Sequence, residues 1–282
     1  MIGPPQFAPD GKRTGAGYNR TRLFPQVDSN RRFRALSLDL WFTALYYPPE
    51  RDRQWKEDRV RLLHDTLSLQ DGRILGMDAI ERAMDSVHAR LRDEGREPIT
   101  IDPGVLIPLY ASALDADLTM PLDEFARTYS SVGLAEHPPV ANPEAVSVAR
   151  ALTERGIPVI AITNTARRGS SWQEYLRDRM DLGFQHVIAS SDCGSAKPDP
   201  GIFHEAARRV GLSPREILHV GDRWELDVQG AQAAHFGAAL YTGLWRYYPE
   251  GPYSPTDRER TEDSTVPRVE RLEDVLGMGL LP

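Results

Sequence analysis

The stretch ALSLDLWFT, residues 35–43, places one carboxylate, Asp39, directly after a short apolar run and follows it with Trp41 and Thr43. A run this short, ended by polar residues, reads as a buried strand, which sets Asp39 at the strand's carboxyl end. The arrangement recurs downstream: VIAI (159–162) leads into Thr163 and Asn164, and ILHVG (217–221) leads into Asp222. HVIASS (186–191) reads as a further strand. Between these runs lie helical patterns, PEAVSVARALTERG (143–156, closed by Gly156), SSWQEYLRDRM (170–180) and PGIFHEAARRVG (200–211). Strands alternating with helices predict a parallel sheet covered on both faces. Ligands of such sheets sit beyond the carboxyl ends of the strands, so Asp39 and Asp222, more than 180 positions apart, are expected to meet in one cleft.

Residues 46–137 read differently. ERDRQWKEDRVRLLHDTL (50–67) and MDAIERAMDSVHARLRDEG (77–95) are helical, the second carrying Ile80, Met84, Val87 and Leu91 on one face. Such a stripe is core packing. The expected organisation is therefore an α/β Rossmann-like, three-layer core with a parallel sheet, made of 31–45 and 138–282, and an α-helical cap of 46–137. The cap is expected to join the core near Pro48 and Pro138. Residues 1–30, rich in Pro, Gly and Arg and without periodicity, read as a flexible extension.

Composition narrows the function classes. A formal charge of −7 argues against a general nucleic-acid binder. No apolar run approaches the roughly 18 residues of a membrane span, and the amino-terminal stretch lacks a secretory apolar segment, so a cytoplasmic location is expected. The single cysteine, Cys193, cannot form an internal disulfide and reads as an incidental thiol. Lysine occurs only at positions 12, 56 and 197. Where arginine is otherwise the rule, a lysine implies that a compact ammonium is wanted, which singles out Lys197.

Four motifs stand in order: DLWFT with Asp39 and Thr43, AITNT with Thr163, SAKPDPGIF with Lys197, and HVGDRWELD with Asp222 and Asp227. On these motifs the chain resembles the haloacid dehalogenase superfamily, the resemblance covering about residues 33–243. It implies a hydrolase or phosphotransferase acting on a small phosphorylated metabolite, with an aspartyl-phosphate formed on Asp39. Asp39, Thr163 and Lys197 are then catalytic; Trp41, Thr43, Asn164 and Arg223 contact substrate; and Asp39, the Trp41 carbonyl, Asp222 and Asp227 hold Mg2+. Hard oxygen donors of this kind suit Mg2+, which would offset the repulsion between a carboxylate nucleophile and a phosphate dianion. Individually each residue has a plainer reading, Thr43 and Thr163 as turn caps, Lys197 as a solvated loop charge and Asp222 as a helix cap.

Trp41 departs from the phosphatases, which usually carry a second aspartate two residues after the nucleophile to protonate the leaving group. Two alternatives stay open: hydrolytic dehalogenation, whose enzymes carry an aromatic residue here, and a catalytically weakened binding or regulatory protein. A phosphonatase would need a cap lysine, and only Lys56 is available. His64 and His88 are candidate proton donors by location; Arg167 and Arg168, like Arg223, are candidate anion contacts. The expected partner is a small molecule, with no nucleic acid and no membrane, and the chain is expected to be a monomer or homodimer.

Overall fold

The computed structural model describes residues 33–48, 50–244 and 266–279; the extension expected at 1–30 lies outside them. Strand β1 (Ala35–Leu38) leads into a loop and β2 (Leu45–Tyr46). Next come α1 (Arg51–Thr66), β3 (Leu67–Leu69), α2 (Met77–Asp93), α3 (Pro103–Ala113), β4 (Ala116–Leu118) and α4 (Leu122–Ser131). After β5 (Val140–Ala141), the chain runs α5 (Pro143–Glu154), β6 (Val159–Thr163), α6 (Gly169–Met180), β7 (Val187–Ala189), α7 (Ser190–Cys193) and α8 (Pro200–Val210). β8 (Ile217–Gly221), a π-turn at Trp224–Gln229, α9 (Gly230–Ala233), β9 (Gly237–Tyr241) and β10 (Arg268–Val269) complete it.

The main sheet has the order β10-β9-β8-β1-β6-β7, and every pairing in it is parallel. Period-two alternation sorts its side chains between two cores. Leu36, Leu38, Val159, Ala161 and Val220 pack on one face with α5 and α6, where Trp172 is fully buried. Ala35, Ile160, Ile162 and Ile188 pack on the other against Ile202, Phe203 and Ala206 of α8. Strand β1 is central, between β8 and β6, so the ends of these three strands are neighbours.

Helices α1 to α4 enclose a cluster of their own, including Leu63, Ile80, Met84, Val87, Leu91, Tyr110 and Phe125. The four positions of the α2 stripe are all buried, each contributing about 1.5–3 kcal/mol. A small antiparallel pair, β3 with β4, closes this layer, a feature the helical reading of the segment did not anticipate. The segment leaves and rejoins the core through β2 and β5, which pair antiparallel, Leu45 opposite Ala141 and Tyr46 opposite Val140. No described helix is long and apolar enough to cross a membrane.

Candidate active site

Asp39 follows β1 directly, and its amide donates to the Val220 carbonyl of β8 at 2.9 Å. Asp222 follows β8, and Asp227 lies in the π-turn one loop further on. One carboxylate oxygen from each of Asp39, Asp222 and Asp227 falls within 4.8 Å of the other two. All three residues are buried. Gly221 makes this possible, because a β-carbon there would stand 2.2 Å from the Asp227 Cγ. The π-turn, a distortion often found at functional positions, is seen in the Val228 amide reaching back to the Arg223 carbonyl at 3.4 Å.

The Lys197 ammonium donates to Asp39 Oδ1 and to Asp227 Oδ1, both at 2.6 Å, with its side chain 2 % exposed. Its backbone is held from two sides by one residue. Asn164 Nδ2 donates to the Lys197 carbonyl at 2.9 Å, and the Lys197 amide donates to Asn164 Oδ1 at 2.8 Å. Asn164, expected to contact substrate, lines the cleft, and its amide group also positions the lysine.

Beneath the carboxylates, His219 Nε2 lies 3.2 Å from Asp227 Oδ1, and its Nδ1 lies 2.8 Å from Ser37 Oγ. Both residues are buried and stand opposite each other in the β1–β8 register. With Nε2 as the protonated nitrogen, the ring donates to Asp227 and accepts from Ser37, completing a chain of satisfied polar groups. Neither residue was singled out from the sequence. The available signal was a polar residue in each of two otherwise apolar strands, ALSL and ILHVG.

The charges do not balance. Burial raises the Asp39 carboxyl to about 6, against the opposing pull of Lys197. Burial, reinforced by the neighbouring Asp39 and Asp227, pushes Asp222 well above the usual carboxylate range. Burial disfavours the charged form of Asp227 too, but Lys197 and His219 overcome it and hold its pKa low. Lys197 is raised overall, its burial outweighed by Asp227 and Asp39. Ionisation of all three carboxylates against one ammonium would leave an excess of negative charge, and both oxygens of Asp222 are buried with no hydrogen-bond partner. Orphaned acceptors of this sort are costly unless a cation or donor meets them. The donor set of three clustered carboxylates fits a hard divalent cation.

The cleft above has a volume of about 780 Å³ and is walled by core and helical layer together. Trp41 and Arg223, expected to contact substrate, line it. Thr43 does not. It is fully buried, its Oγ1 has no partner, and its carbonyl accepts from Asn142 Nδ2 at 2.9 Å, so a substrate contact is replaced by an anchor for the helical layer's return strand. Thr163 is likewise fully buried outside the cleft lining, its hydroxyl unpaired. Trp41 packs in an aromatic group, 5.2 Å from Trp172, 5.3 Å from Tyr47 and 5.6 Å from Trp55, centroid to centroid. Its neighbour Phe42 has a φ of 58°, a left-handed conformation that lets the loop after Asp39 turn sharply.

Other candidates fall away. Arg168 bonds Asp102 at 3.0 Å and Asp123 at 2.7 Å, so it ties core to helical layer and does not face substrate. Lys56 is paired with Glu81 and Asp85, and His64 with Asp65, both outside the cleft lining. His88 does line it, bonded to the Tyr110 hydroxyl at 2.6 Å, with burial lowering its pKa.

The haloacid dehalogenase-like hydrolase family matches residues 76–235, more than half of the chain, and the chain belongs to that family. It is a hydrolase of α/β type. A glyceraldehyde 3-phosphate phosphatase of Methanopyrus kandleri is 36 % identical over 134 residues, 48 % of this chain and 55 % of that protein. The chain thus matches about half the length of this curated relative. Among solved structures, a 2-haloacid dehalogenase from Pseudomonas syringae pv. Tomato superposes with a TM-score of 0.56 at 19 % identity, over 87 % of this chain and 97 % of that one. A phosphatase of the same superfamily from Thermococcus onnurineus gives 0.52 at 19 % identity, over 87 % and 97 %. At these identities the likeness is one of fold, and the fold is common to both reactions.

Proposed function

We propose that this hydrolase is a Mg2+-dependent phosphatase of small phosphorylated metabolites, with Asp39 as nucleophile. The observation that carries the reading is the pair of orphaned, buried Asp222 oxygens beside Asp39 and Asp227. A dehalogenase attacking carbon has no use for that second carboxylate pair, whereas attack on a phosphate dianion needs added positive charge. Asp39, Asp222 and Asp227 would hold Mg2+, which when bound would draw charge from the phosphoryl oxygens. Lys197 holds the Asp39 carboxylate in one orientation and presents a fixed positive charge beside it. Asn164 keeps that lysine in place, and the helical layer, acting as a lid, keeps water from the cleft. The name of the phosphatase from Methanopyrus kandleri supports the same class. The test is hydrolysis of p-nitrophenyl phosphate and a panel of phosphorylated metabolites and haloacids, with Mg2+ and with chelator. Turnover of haloacids in chelator, without phosphate release, would replace this reading by dehalogenation.

Metal dependence has a readout in stability. Mg2+ should raise the Tm of the native chain, since a ligand at 100 times its Kd adds about 2.7 kcal/mol. Asp222→Asn removes a buried charge without changing shape. The metal-free variant should therefore melt at or above the native temperature, and Mg2+ should no longer raise it. An unchanged Mg2+ response in a thermal melt would remove Asp222 from the metal site.

Trp41 occupies the place of the usual proton donor with a ring that has no acidic proton to give. Turnover should therefore fall steeply as leaving-group pKa rises, with aryl phosphates favoured over alkyl phosphates at saturation by about 10²–10⁴-fold, the range of general acid catalysis. Trp41→Asp should leave that preference largely in place, because the new carboxylate would lose the support of Trp55, Tyr47 and Trp172 and stand unheld. Equal saturated rates for the two substrate types in the native enzyme would show that another group, His88 foremost, supplies the proton.

A further inference from the structure

Two arginines on the cleft wall, Arg59 and Arg167, have no carboxylate partner among the described residues. Arg167 is 2 % exposed, and its Nη1 donates to the Ser130 and Val132 carbonyls at 2.7 and 3.0 Å, while Nη2 is buried with no acceptor. Its guanidinium lies over the rings of Trp55 and Trp172, 5.5 and 5.9 Å from their centroids. Burial and the nearby positive charge of Arg59 depress its pKa. Arg59, on α1, lies over the Tyr129 ring at 5.5 Å, and its Nε is also buried without a partner. Among the described residues neither forms an ion pair within 4.0 Å, whereas Arg92, also on the cleft wall, pairs with Glu97 at 3.8 Å. Asp58 acts on Arg167 only through space and is itself engaged by Arg61 at 3.2 Å and His137 at 3.5 Å. Asp52 stands in the same long-range relation to Arg59.

Two like charges on one sheltered wall, near enough to act on each other, cost free energy unless an anion joins them. The reacting phosphoryl group has its own place beside Lys197 and the carboxylate cluster, whereas Arg167 bonds Ser130 and Val132 and packs on Trp55 and Trp172. We infer that Arg59 and Arg167 form a second anion subsite, so that the substrate carries, besides its scissile phosphate, a further carboxylate or phosphate. The inference rests on the phosphatase reading and narrows its substrate class. One arginine comes from the helical layer and the other from the loop after β6, so the second anion also bridges lid and core. Its binding favours the closed cleft.

The test is calorimetric binding to the Mg2+-loaded native chain of three non-hydrolysable probes: propylphosphonate, 3-phosphonopropionate and propane-1,3-bisphosphonate. Charge-assisted pairing at a sheltered site should make at least one of the two double anions bind about 10-fold to 100-fold more tightly than propylphosphonate. Whichever is favoured identifies carboxylate or phosphate as the second group. In Arg59→Gln the advantage should shrink to under about threefold, while propylphosphonate binds as before. Arg59 is partly buried and its side chain makes no hydrogen bond or ion pair among the described residues, so this variant is expected to fold; Arg167 braces two backbone carbonyls and is the riskier choice. Equal binding of all three probes to the native chain, or an advantage undiminished in Arg59→Gln, overturns the subsite. If p-nitrophenyl phosphate is hydrolysed with Mg2+ in the same preparation, the phosphatase reading stands even then; if it is not, the fault lies with that reading, and the probe ratio still decides the subsite.

Discussion

Asp39→Asn should lower kcat on any accepted phosphate ester by at least about 10⁴-fold while leaving the fold intact, because an amide of the same shape cannot attack phosphorus. The two effects separate for a structural reason. The native Asp39 carboxyl already sits at about 6, burial outweighing the ammonium beside it, so neutralising it sacrifices little stability. Lys197 keeps its 2.6 Å contact with Asp227. The variant's Tm should therefore stay within about 1 kcal/mol equivalent of native, and stopped assays with quantitation of released phosphate should show the loss. Residual activity above a hundredth of native would remove Asp39 as nucleophile.

Lys197→Met should fail in both respects. Removing one partner from a buried charge pair costs about 3–5 kcal/mol, because the other is left stranded. Here two carboxylates, Asp39 and Asp227, are stranded together. At roughly 2–4 °C per kcal/mol for a chain of this size, Tm should fall on the order of 10 °C at neutral pH. With the ammonium gone, both carboxyls rise in the folded chain, Asp39 from an already raised value and Asp227 from a lowered one. A carboxyl whose folded pKa lies above its unfolded value favours folding below the unfolded value and loses that contribution as pH rises through the folded one. The deficit should accordingly be smaller near pH 5 than near pH 8. Melting curves across that range, set beside native curves, test it, and a deficit independent of pH would contradict the stranded-charge account.

The sheet was legible because β1, β6 and β8 are buried on both sides and so read as short, mainly apolar runs, each ended by a polar residue at the cleft. Lys197 was legible for a different reason, the scarcity of its residue type. The orientation of Thr43 and Asn164 was not legible, because spacing reveals which loop a side chain belongs to and not which way it turns. Thr43 turns into the protein, while Asn164 folds back onto Lys197. Arg59 illustrates the opposite limit. In a helix with as many charges as α1 it has the pattern of a solvated position, and only the packing of α1 over the loop after β6 brings it to Arg167. Ser37 and His219 sat in view as polar interruptions of apolar strands, yet their meaning depended on the β1–β8 register, which no local pattern supplies.

The pairing of β2 with β5 has a bearing on how such a chain can change. Because Leu45 lies opposite Ala141, the nearly hundred residues between them begin and end a single strand spacing apart, about 5 Å. The sheet therefore meets its insert as two adjacent stubs and is indifferent to the length or content of what joins them. Arg59, proposed above as a selectivity element, resides in the insert; Asp39, Lys197, Asp222 and Asp227 reside outside it. The two are separately heritable, so replacement of the insert can alter what is recognised while the reacting groups keep their positions.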